Sequence, residues 1–356
     1  MAFTRDRLRV ALVGAGKFGA RRAAGMVRNS KTEISVVVDQ IPENATTLAQ
    51  TLGCSHSLDW QGTIARKDID VVVVATSTQF LSVVTKAALM QGKHVLCEKP
   101  FARNVEEARE SVDEAAKRGL CLKVGYNHRY HPAVFKAHKL FQDGVIGEIQ
   151  FIRCVYGHGG RQGYEKEWRA DPQLSGGGQL LDQGVHVIDL LQWFLGDFDD
   201  VKAFTSTSYW PIAPAEDNVF ALLRTPQGSV ASLHASWTHW KNVFTFDVFG
   251  EKGFLSAAGL GGHYGQEHLC WGDRHTIGAN PDEHWYHFTG PDISLESEWN
   301  VFVECVFAGR EPPSSGKESL KTLELVDAIY KSANMMNQEA AIHASVDEHI
   351  SRGASL

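Results

Sequence analysis

Polar residues capable of acid–base chemistry interrupt an apolar run in the segment GGGQLLDQGVHVIDL, residues 176–190. On a helix, Asp182 and His186 lie four residues apart and share one face, and Asp189 follows three residues later on nearly the same line. The surrounding leucine, valine and isoleucine residues predict that the rest of this helix is buried. The polar face therefore points at something other than bulk core.

Three interpretations of this face are open from the residues alone. A buried histidine can be satisfied by a neighbouring aspartate, which is a purely structural role. Asp and His one helical turn apart can also share a metal ion, with His128 or His131 arriving from elsewhere. No third ligand stands at a suggestive spacing, so we predict no metal. The third interpretation is catalytic, with the histidine serving as a base near neutral pH.

A dinucleotide-binding pattern lies near the amino end, in VALVGAGKFGARRAAGM. Its G-x-G-x-x-G spacing falls between a predicted strand and a predicted helix, where glycines permit a tight turn, close approach to a pyrophosphate and close helix packing. Asp39 ends the second strand, where it can accept hydrogen bonds from ribose hydroxyls and would repel a 2′-phosphate, so NAD is predicted rather than NADP. The residues predicted to form this part of the cofactor site are Gly14, Gly16, Lys17, Phe18, Gly19 and Asp39.

A lysine follows a later predicted strand, in GKHVLCEKPF. In open parallel sheets, ligands bind beyond the carboxyl ends of the strands, which is where Glu98 and Lys99 stand. Pro100 fixes the chain after them and makes a cis peptide bond accessible. A solvated surface cation is the structural alternative for Lys99.

The order of apolar runs predicts the fold class. LRVALV, EISVVVD, IDVVVVAT, KHVLCEK and LCLKVGY alternate with helix-like segments, which is typical of a parallel, doubly wound sheet. After about Gly125 the pattern becomes strand, tight turn, strand, which is typical of antiparallel hairpins. We predict an α/β protein with a Rossmann dinucleotide-binding domain at 1–125 and a C-terminal α/β domain at 126–356. The second domain is predicted to be an open, mainly antiparallel sheet, with helices around 180–195 and 320–336 covering one face.

The chain resembles the Gfo/Idh/MocA family of oxidoreductases, named for glucose-fructose oxidoreductase and inositol dehydrogenase. The matching segments span nearly the whole chain: GAGKFG, ATSTQF, QGKHVLCEKP, VGYNHRYHP and GGGQLLDQGVHVIDL. The resemblance implies that Lys99, Asp182 and His186 form the catalytic group. The chain departs from the family where Leu81 replaces a histidine, so packing on the nicotinamide side is expected to differ. The further cofactor contacts predicted on this basis are Thr76, Ser77, Glu98 and Lys99.

Other polar and aromatic residues flank these motifs and are candidate substrate contacts. The resemblance implies a substrate-side role for Arg129, with Asn127 beside it. The glycine-rich segment before the catalytic helix adds a histidine, a tryptophan and arginines, for which a solvated loop is the structural alternative. Trp237 and Trp240 could stack on a sugar, although aromatic residues on strands more often belong to the core. The predicted substrate contacts are Lys99, Asn127, Arg129, His158, Trp168, Arg169, Asp182 and His186.

Length and composition limit the cellular setting and the partners. With 356 residues, 43% of them hydrophobic, the chain is predicted to form two globular domains. The 35 basic and 42 acidic residues give a net charge of -7, which argues against general binding to nucleic acid or anionic membranes. Six widely spaced cysteines suggest neither a disulfide framework nor a zinc site. No segment is typical of a signal peptide or a membrane span, and we expect a cytoplasmic protein.

These observations predict an NAD-dependent oxidoreductase that acts on a secondary hydroxyl or ketone of a polyhydroxylated small molecule: a sugar, an inositol or a sugar derivative. Two alternatives are an NAD-dependent glycoside hydrolase that recycles its cofactor internally and a noncatalytic dinucleotide-sensing protein. A metal-dependent hydrolase is disfavoured by the ligand spacing. The free face of the C-terminal sheet is expected to form a homodimer or a homotetramer.

Overall fold

Two β-sheets organise the chain in the computed structural model, which describes residues 6–274 and 280–353. The first sheet is six-stranded, with the order β3-β2-β1-β4-β5-β6 and parallel pairing throughout. This is the order of a Rossmann dinucleotide-binding fold, as the sequence predicts. Its strands are β1 (Leu8–Val13), β2 (Thr32–Val38), β3 (Ser55–Ser57), β4 (Val71–Val74), β5 (His94–Glu98) and β6 (Leu122–Gly125).

Helices cover both faces of this sheet. Every residue of β4, VVVV, is buried, because helices on both faces leave no side of a central strand in water. Helix α5 begins after Asn104, whose side chain accepts the Glu107 N–H, and it ends at Gly119 in the left-handed conformation. The helices of the first domain are α1 (Lys17–Met26), α2 (Pro42–Leu52), α3 (Trp60–Ile64), α4 (Thr78–Met90) and α5 (Val105–Arg118).

The second sheet is eight-stranded, with the order β14-β13-β12-β11-β7-β10-β9-β8. Only the β7–β10 pair is parallel, so the predicted open, mainly antiparallel sheet is confirmed. The sequence pattern does not predict the last two strands. In β14 the residues, DEHWYHF, are almost all exposed, so buried and exposed positions do not alternate. The strands are β7 (Ile149–Gly157), β8 (Asp200–Ser206), β9 (Asn218–Arg224), β10 (Val230–Ser236), β11 (Val243–Gly250), β12 (Gly253–Ala258), β13 (Glu267–Asp273) and β14 (Asp282–Phe288).

One face of the second sheet is packed against helices. Along β9, Val219, Ala221 and Leu223 are buried whereas Phe220 and Leu222 are exposed, which is the alternation of a sheet with one covered face. The covering helices are α6 (Pro132–Gln142), α8 (Val185–Leu195) and α10 (Gly316–Gly353), and a short helix α7 (Pro172–Ser175) precedes α8. The outer face keeps its apolar residues in water.

A helix from the second half of the chain returns to the first domain. Helix α9 (Ser294–Ala308) contacts α1, and its buried Trp299, Phe302 and Val303 join the apolar cluster beneath β1. The range 126–356 predicted for the second domain therefore includes a helix that packs with the Rossmann layer. Burial of its apolar face fixes this position, whereas the sequence pattern shows only that such a face exists.

No helix within residues 6–274 and 280–353 combines the length and the apolar character needed to cross a bilayer. All six cysteines lie within these residues as free thiols, five of them buried. Burial, together with nearby Cys305 and Glu311, raises the pKa of the Cys121 thiol to about 11.

Candidate active site

The three glycines of the first turn have distinct structural roles. Gly14 has φ 103°, and a Cβ there would overlap the carbonyl of Ala75. A Cβ on Gly19 would overlap the carbonyl oxygen of Gly14, so this glycine lets α1 pack closely on the turn. A Cβ on Gly16 would meet nothing within 4 Å. The first and third glycines thus fix the turn, and the second faces open space.

Asp39 fastens the end of β2 to this turn. One carboxylate oxygen accepts the Ala15 N–H at 2.7 Å and the other accepts the Ile41 N–H at 2.8 Å. Helix α1 starts at the turn with no acidic residue in its first turn, so its N–H groups and positive dipole end remain available to an anion. Lys17 is exposed and Phe18 is half-buried at the same helix end.

The open side of Gly16, the bare helix end and the Asp39 carboxylate are the features that a dinucleotide pyrophosphate and an adenosine ribose require. Thr76 and Ser77 follow β4 beside the turn, and the Thr76 nitrogen lies close to Gly14. The residues of this edge therefore match an NAD site, and they would hold the cofactor through backbone N–H groups and the Asp39 carboxylate.

The lysine predicted to be catalytic reaches across to the second domain. The Lys99–Pro100 peptide bond is cis, and the next residue, Phe101, has φ 82°. The Lys99 ammonium donates hydrogen bonds to the main-chain carbonyl of Asp182 and, at 3.1 Å, to its Oδ1. The side chains of Lys99 and Asp182 are 17% and 20% exposed, so the pair can be reached from solvent.

The helix that carries Asp182 is not the continuous α-helix that the sequence predicts. Its first turn, Leu180–Gly184, is π-helical, and α8 begins only at Val185. Wide turns of this kind are frequent at functional sites. The buried carboxylate of Glu216 accepts the N–H groups of Gly178 and Leu180, which anchors the start of this turn.

Opposing effects set the ionisation of Asp182. Burial disfavours the carboxylate, but Lys99 and Arg169 outweigh burial and lower the pKa of Asp182 below its ordinary value. The Arg169 Nε lies 3.7 Å from Asp182 Oδ1. Asp182 is therefore held as a carboxylate between two cations.

His186 lies deeper than Asp182, with only 5% of its surface exposed. Its ring stacks on His128, with centroids 3.8 Å apart and an interplanar angle of 17°. Nδ1 is buried without a hydrogen-bond partner, which leaves Nε2 as the ring nitrogen available for chemistry. Burial first, and then the nearby His128 and Lys99, hold the pKa of His186 well below its usual range. The imidazole is therefore neutral at physiological pH, as a general base must be.

Comparison with known proteins agrees with this arrangement. Residues 8–126 match the model of an oxidoreductase family with an NAD-binding Rossmann fold, and residues 134–256 match the model of the GFO/IDH/MocA C-terminal domain. The chain belongs to the Gfo/Idh/MocA oxidoreductase family. The family resemblance and the fold class predicted from the sequence are thereby confirmed.

The names of similar family members describe enzymes that act on sugar derivatives. Levoglucosan dehydrogenase of Pseudarthrobacter phenanthrenivorans is 31% identical over 62% of this chain, and the match spans 63% of that relative, less than two thirds of its length. 1,5-Anhydro-D-fructose reductase of Ensifer adhaerens is 30% identical, with 68% of this chain and 74% of the relative covered. A solved structure of levoglucosan dehydrogenase in complex with NADH and levoglucosan superposes with a TM-score of 0.84 at 25% identity, covering 92% of this chain and 98% of that one.

In the present protein, the loop before α7 brings two of the predicted substrate residues, His158 and Arg169, close to Asp182. His158 Nδ1 accepts the Gly160 N–H at 2.9 Å, and burial lowers the pKa of His158 although Asp182 opposes the shift. Arg169 approaches the same carboxylate while its guanidinium lies 4.4 Å from the ring centroid of Trp168. His158 and Arg169 thus stand near Asp182, with Trp168 packed against Arg169, and substrate contact stays a prediction for each of them.

Several other predicted site residues are engaged in structural contacts. Arg129 forms a buried, bidentate ion pair with Asp189 and also donates a hydrogen bond to Glu318. Asp189 therefore pairs with Arg129 and does not share a polar face with Asp182. The prediction that Asp182, His186 and Asp189 lie on one helix face is wrong for Asp189. Glu98 is buried in an ion pair with Arg22, and the Asn127 amide donates to Ser294 Oγ at 2.8 Å. Ligand contact by Glu98, Asn127 and Arg129 stays a prediction that their observed partners do not favour.

Sequence reasoning missed residues that complete the pocket around His186. The sequence suggests His128 only as a possible metal ligand, yet its ring stacks on the ring of His186. Tyr156 on β7 packs edge-on against His128 with ring centroids 5.2 Å apart, and the Tyr264 ring packs against Tyr156 with centroids 5.2 Å apart. No motif distinguishes these tyrosines from core aromatics, because the pairing of strands brings them to the site. Within residues 6–274 and 280–353, no group of three His, Cys, Asp or Glu side chains is placed to hold a metal ion.

Replacing Gly16 by valine is expected to weaken NAD binding at least about tenfold, which corresponds to about 1.4 kcal/mol. The new side chain would occupy the open space that the pyrophosphate needs. Gly16 has φ -67°, which valine adopts readily, so the free energy of unfolding without cofactor should fall by no more than about 1 kcal/mol. NAD titration calorimetry measures the first effect and urea unfolding the second. Gly290→Val, at an exposed glycine also facing open space, is the matched control; equal NAD affinity of all three proteins would contradict the assignment.

The His128–His186 stack is expected to make stability depend on pH. Burial keeps the pKa of His128 and of His186 well below their usual range, so below about pH 6.5 the unfolded chain binds protons that the folded chain does not. Stability is therefore fully present above that pH and is lost as the pH falls. His128→Phe keeps the stack and should reduce the slope of unfolding free energy against pH by up to about 1.4 kcal/mol per pH unit.

The measurement is urea unfolding at a series of mildly acidic pH values. His138 is a positive control, because it is a second buried, stacked histidine whose pKa burial lowers to about 4. His138→Phe should flatten the slope in the same way. A slope in His128→Phe identical to that of the unmodified protein would show that His128 is already protonated in the fold.

Proposed function

We propose that this protein is an NAD-dependent dehydrogenase or reductase that transfers a hydride between nicotinamide and a secondary hydroxyl or ketone of a sugar, an inositol or a sugar derivative. The observation that carries the proposal is the meeting of Lys99 with Asp182, one turn before the neutral His186. Lys99 follows β5, and Gly14 to Gly19 follow β1. Both therefore stand at the carboxyl edge of the same parallel sheet, where cofactors bind.

The chemistry divides among the three side chains. NAD, when bound along the glycine turn, supplies the hydride acceptor. His186 accepts the proton of the reacting hydroxyl at Nε2, since Nδ1 is enclosed. Lys99 donates a hydrogen bond to the same oxygen as negative charge develops on it. Asp182, held ionised, accepts a hydrogen bond from an adjacent hydroxyl and orients the reacting carbon. In the reductive direction His186 returns the proton.

The surroundings of this group support a polyhydroxylated substrate. His158 and Arg169 offer donors and acceptors beside Asp182, and Trp168 offers an apolar face. Such a mixture suits a ring that carries hydroxyls at its edge and C–H groups on its faces. The names of the relatives, which act on levoglucosan and 1,5-anhydro-D-fructose, support the same substrate class.

The test is absorbance in the reduced-nicotinamide band when the purified protein is mixed with NAD and a panel of sugars, inositols and nucleotide sugars. At least one panel member should produce NADH, and Lys99→Met should lower the rate of NADH formation about a hundredfold to a thousandfold. NAD binding without NADH formation from any panel member, and without NADH consumption by the corresponding ketones, would contradict the proposal.

The exposed face of the second sheet supports self-association. Phe204 pairs across strands with Phe220, and both are more than half exposed beside Leu222. Contiguous apolar residues on a sheet face mark an interface, and a closed pair of faces buries them. A homodimer or homotetramer through this face is the expected assembly. Light scattering should give a multiple of the chain mass that Phe220→Lys reduces.

The free cysteines support a reducing compartment such as the cytoplasm. Cys305 lies close enough to contribute to the raised pKa of the Cys121 thiol, and both are free thiols. Oxidising compartments favour pairing of such neighbours. Fractionation of cells that express the tagged full chain should recover it in the cytoplasmic fraction, and recovery from outside the cytoplasm would contradict this placement.

A further inference from the structure

Exposed aromatic rings stand at the ends of two neighbouring loops in the second domain. Tyr209 follows β8 and Trp240 follows β10, and each is 61% exposed. Their ring centroids are 4.6 Å apart at an interplanar angle of 82°, so the rings form an L-shaped corner. Trp210 packs edge-on against Tyr209 from behind. By contrast Trp237, the other tryptophan of this segment, is completely buried and belongs to the core.

The loop that presents Tyr209 is held rigidly. Asp217, which is fully buried, accepts the backbone N–H groups of Ser208, Tyr209 and Trp210 at 2.7, 2.8 and 3.0 Å. The Trp210 indole N–H also donates to the Trp237 carbonyl at 3.0 Å. Burying a carboxylate is costly unless several donors satisfy it, and here they do. The backbone that carries the exposed tyrosine is therefore held in place without a ligand.

Trp240 occupies a backbone conformation that disfavours its residue type. Its φ is 58°, in the left-handed region where glycine and asparagine are the usual residues. A bulky residue there is strained, and such strain persists where the side chain has a use. Neither burial nor a core contact explains this ring, because most of its surface is in water.

The aromatic corner adjoins the active site through the segment Gly157–Gly160. A Cβ on Gly159 would lie 3.2 Å from the Cα of Trp240, and a Cβ on Gly160 would collide with the ring of Trp210. His158 stands between Gly157 and Gly159 in this segment, and it contributes to the lowered pKa of Asp182. The His239 N–H also donates to the His158 carbonyl at 3.3 Å, which ties the Trp240 loop to this segment.

We propose that Tyr209 and Trp240 form a second sugar subsite, which makes the substrate a glycoside or disaccharide whose second ring stacks in the aromatic corner. Pyranose faces carry C–H groups that pack on aromatic rings, and perpendicular rings would contact a face and an edge at once. The inference rests on the proposed function, because it places the oxidised ring at Lys99 and Asp182 and the second ring beyond His158. A second copy of this chain is the rival occupant of the corner, and the experiment separates the two.

The experiment compares matched monosaccharides and disaccharides in three proteins. Glucose, cellobiose and maltose, together with any further sugar that yields NADH, are assayed with the unmodified protein, Trp240→Gly and Trp285→Ala. Glycine adopts the φ of residue 240 freely, so Trp240→Gly should unfold at the same temperature or higher. Trp285, 51% exposed on the edge strand β14, is the control for loss of an exposed tryptophan.

We expect the unmodified protein to favour a disaccharide over its monosaccharide at least about tenfold in kcat/KM. Trp240→Gly should remove this preference while keeping the monosaccharide activity, and Trp285→Ala should keep both. A preference that is absent, or that survives in Trp240→Gly, would overturn the subsite. A change in solution mass of Trp240→Gly would assign the corner to subunit contact instead.

Failure of the proposed function gives a different result, namely no NADH from any sugar in any of the proteins. The subsite is then still tested by binding, through quenching of tryptophan fluorescence in the presence of NAD. Cellobiose or maltose should quench the unmodified protein more strongly than glucose does, and Trp240→Gly should lose the difference. Equal quenching of both proteins by all three sugars would overturn the subsite.

Discussion

Replacing Lys99 by methionine is expected to lower kcat by about a hundredfold to a thousandfold, the usual effect of removing one donor from a developing oxyanion. Methionine keeps most of the length of the side chain and removes the ammonium that bonds the Asp182 carbonyl and Oδ1. The pKa of Asp182 should rise in the variant, because Lys99 is the main group that opposes the effect of burial on that carboxyl. Steady-state NADH formation with a sugar substrate measures the loss.

A lysine at the opposite end of the same strand provides the control. Lys93 is also buried, and its ammonium donates to the carbonyls of Arg66 and Ile69 at 2.7 Å each, at the amino edge of β5. Lys93→Met should lower the free energy of unfolding while kcat stays the same. Equal kcat losses in the Lys99 and Lys93 variants would show that the Lys99 effect is structural.

Replacing His186 by phenylalanine is expected to lower kcat/KM at least about a hundredfold, since a positioned general base contributes about that much or more. The phenyl ring preserves the stack on His128, so the fold should tolerate the change. The variant has no base at the hydroxyl, and its residual rate should rise with pH as the hydroxyl ionises without help. The measurement is the pH profile of kcat/KM for both proteins.

Protonation of His186 should not lower the kcat/KM of the unmodified protein above about pH 6.5, because burial holds the pKa of His186 well below its usual range. His138→Phe is the matched control, since His138 stacks on Trp193 with centroids 3.5 Å apart outside the site. Its profile should match that of the unmodified protein. A loss of less than about tenfold in the His186 variant would exclude His186 as the base.

The cofactor half of the site follows from the sequence because its determinants are local. Gly14, Gly16 and Gly19 fall within one strand–turn–helix unit, and the contacts of each agree with its place in the motif. Asp39 lies at the end of the adjacent parallel strand, so a fixed spacing along the chain becomes a fixed position in space. The apolar runs predict the first sheet for the same reason.

The substrate half depends on contacts between distant segments, which spacing does not reveal. Asp182, His186 and Asp189 do not form the single α-helical face that the sequence predicts. The helix begins with a π-helical turn, and Asp189 forms an ion pair with Arg129. The stack of His128 on His186 needs the segment after β6 to pack against α8. Positions of this kind are fixed by tertiary packing, which overrides local helical geometry.

Buried charges show the same limit. An arginine or a glutamate next to a catalytic motif reads as a ligand contact, yet Arg129 pairs with Asp189, and Glu98 pairs with Arg22. Glu216, which the sequence does not single out, accepts two N–H groups at the start of the catalytic helix. Buried charges require partners, and those partners lie 36 or more residues away along the chain.

Direct transfer of hydrogen from sugar to nicotinamide is the central claim, and isotopic labelling tests it most directly. A sugar deuterated at the oxidised carbon is incubated with the protein and NAD, and the released NADH is examined by mass spectrometry. We expect one deuterium in each NADH formed, and labelled NADH from Lys99→Met at a rate about a hundredfold to a thousandfold lower under the same conditions. Unlabelled NADH would contradict direct transfer, and a cleaved glycoside with no released NADH would assign the site to internal cofactor recycling.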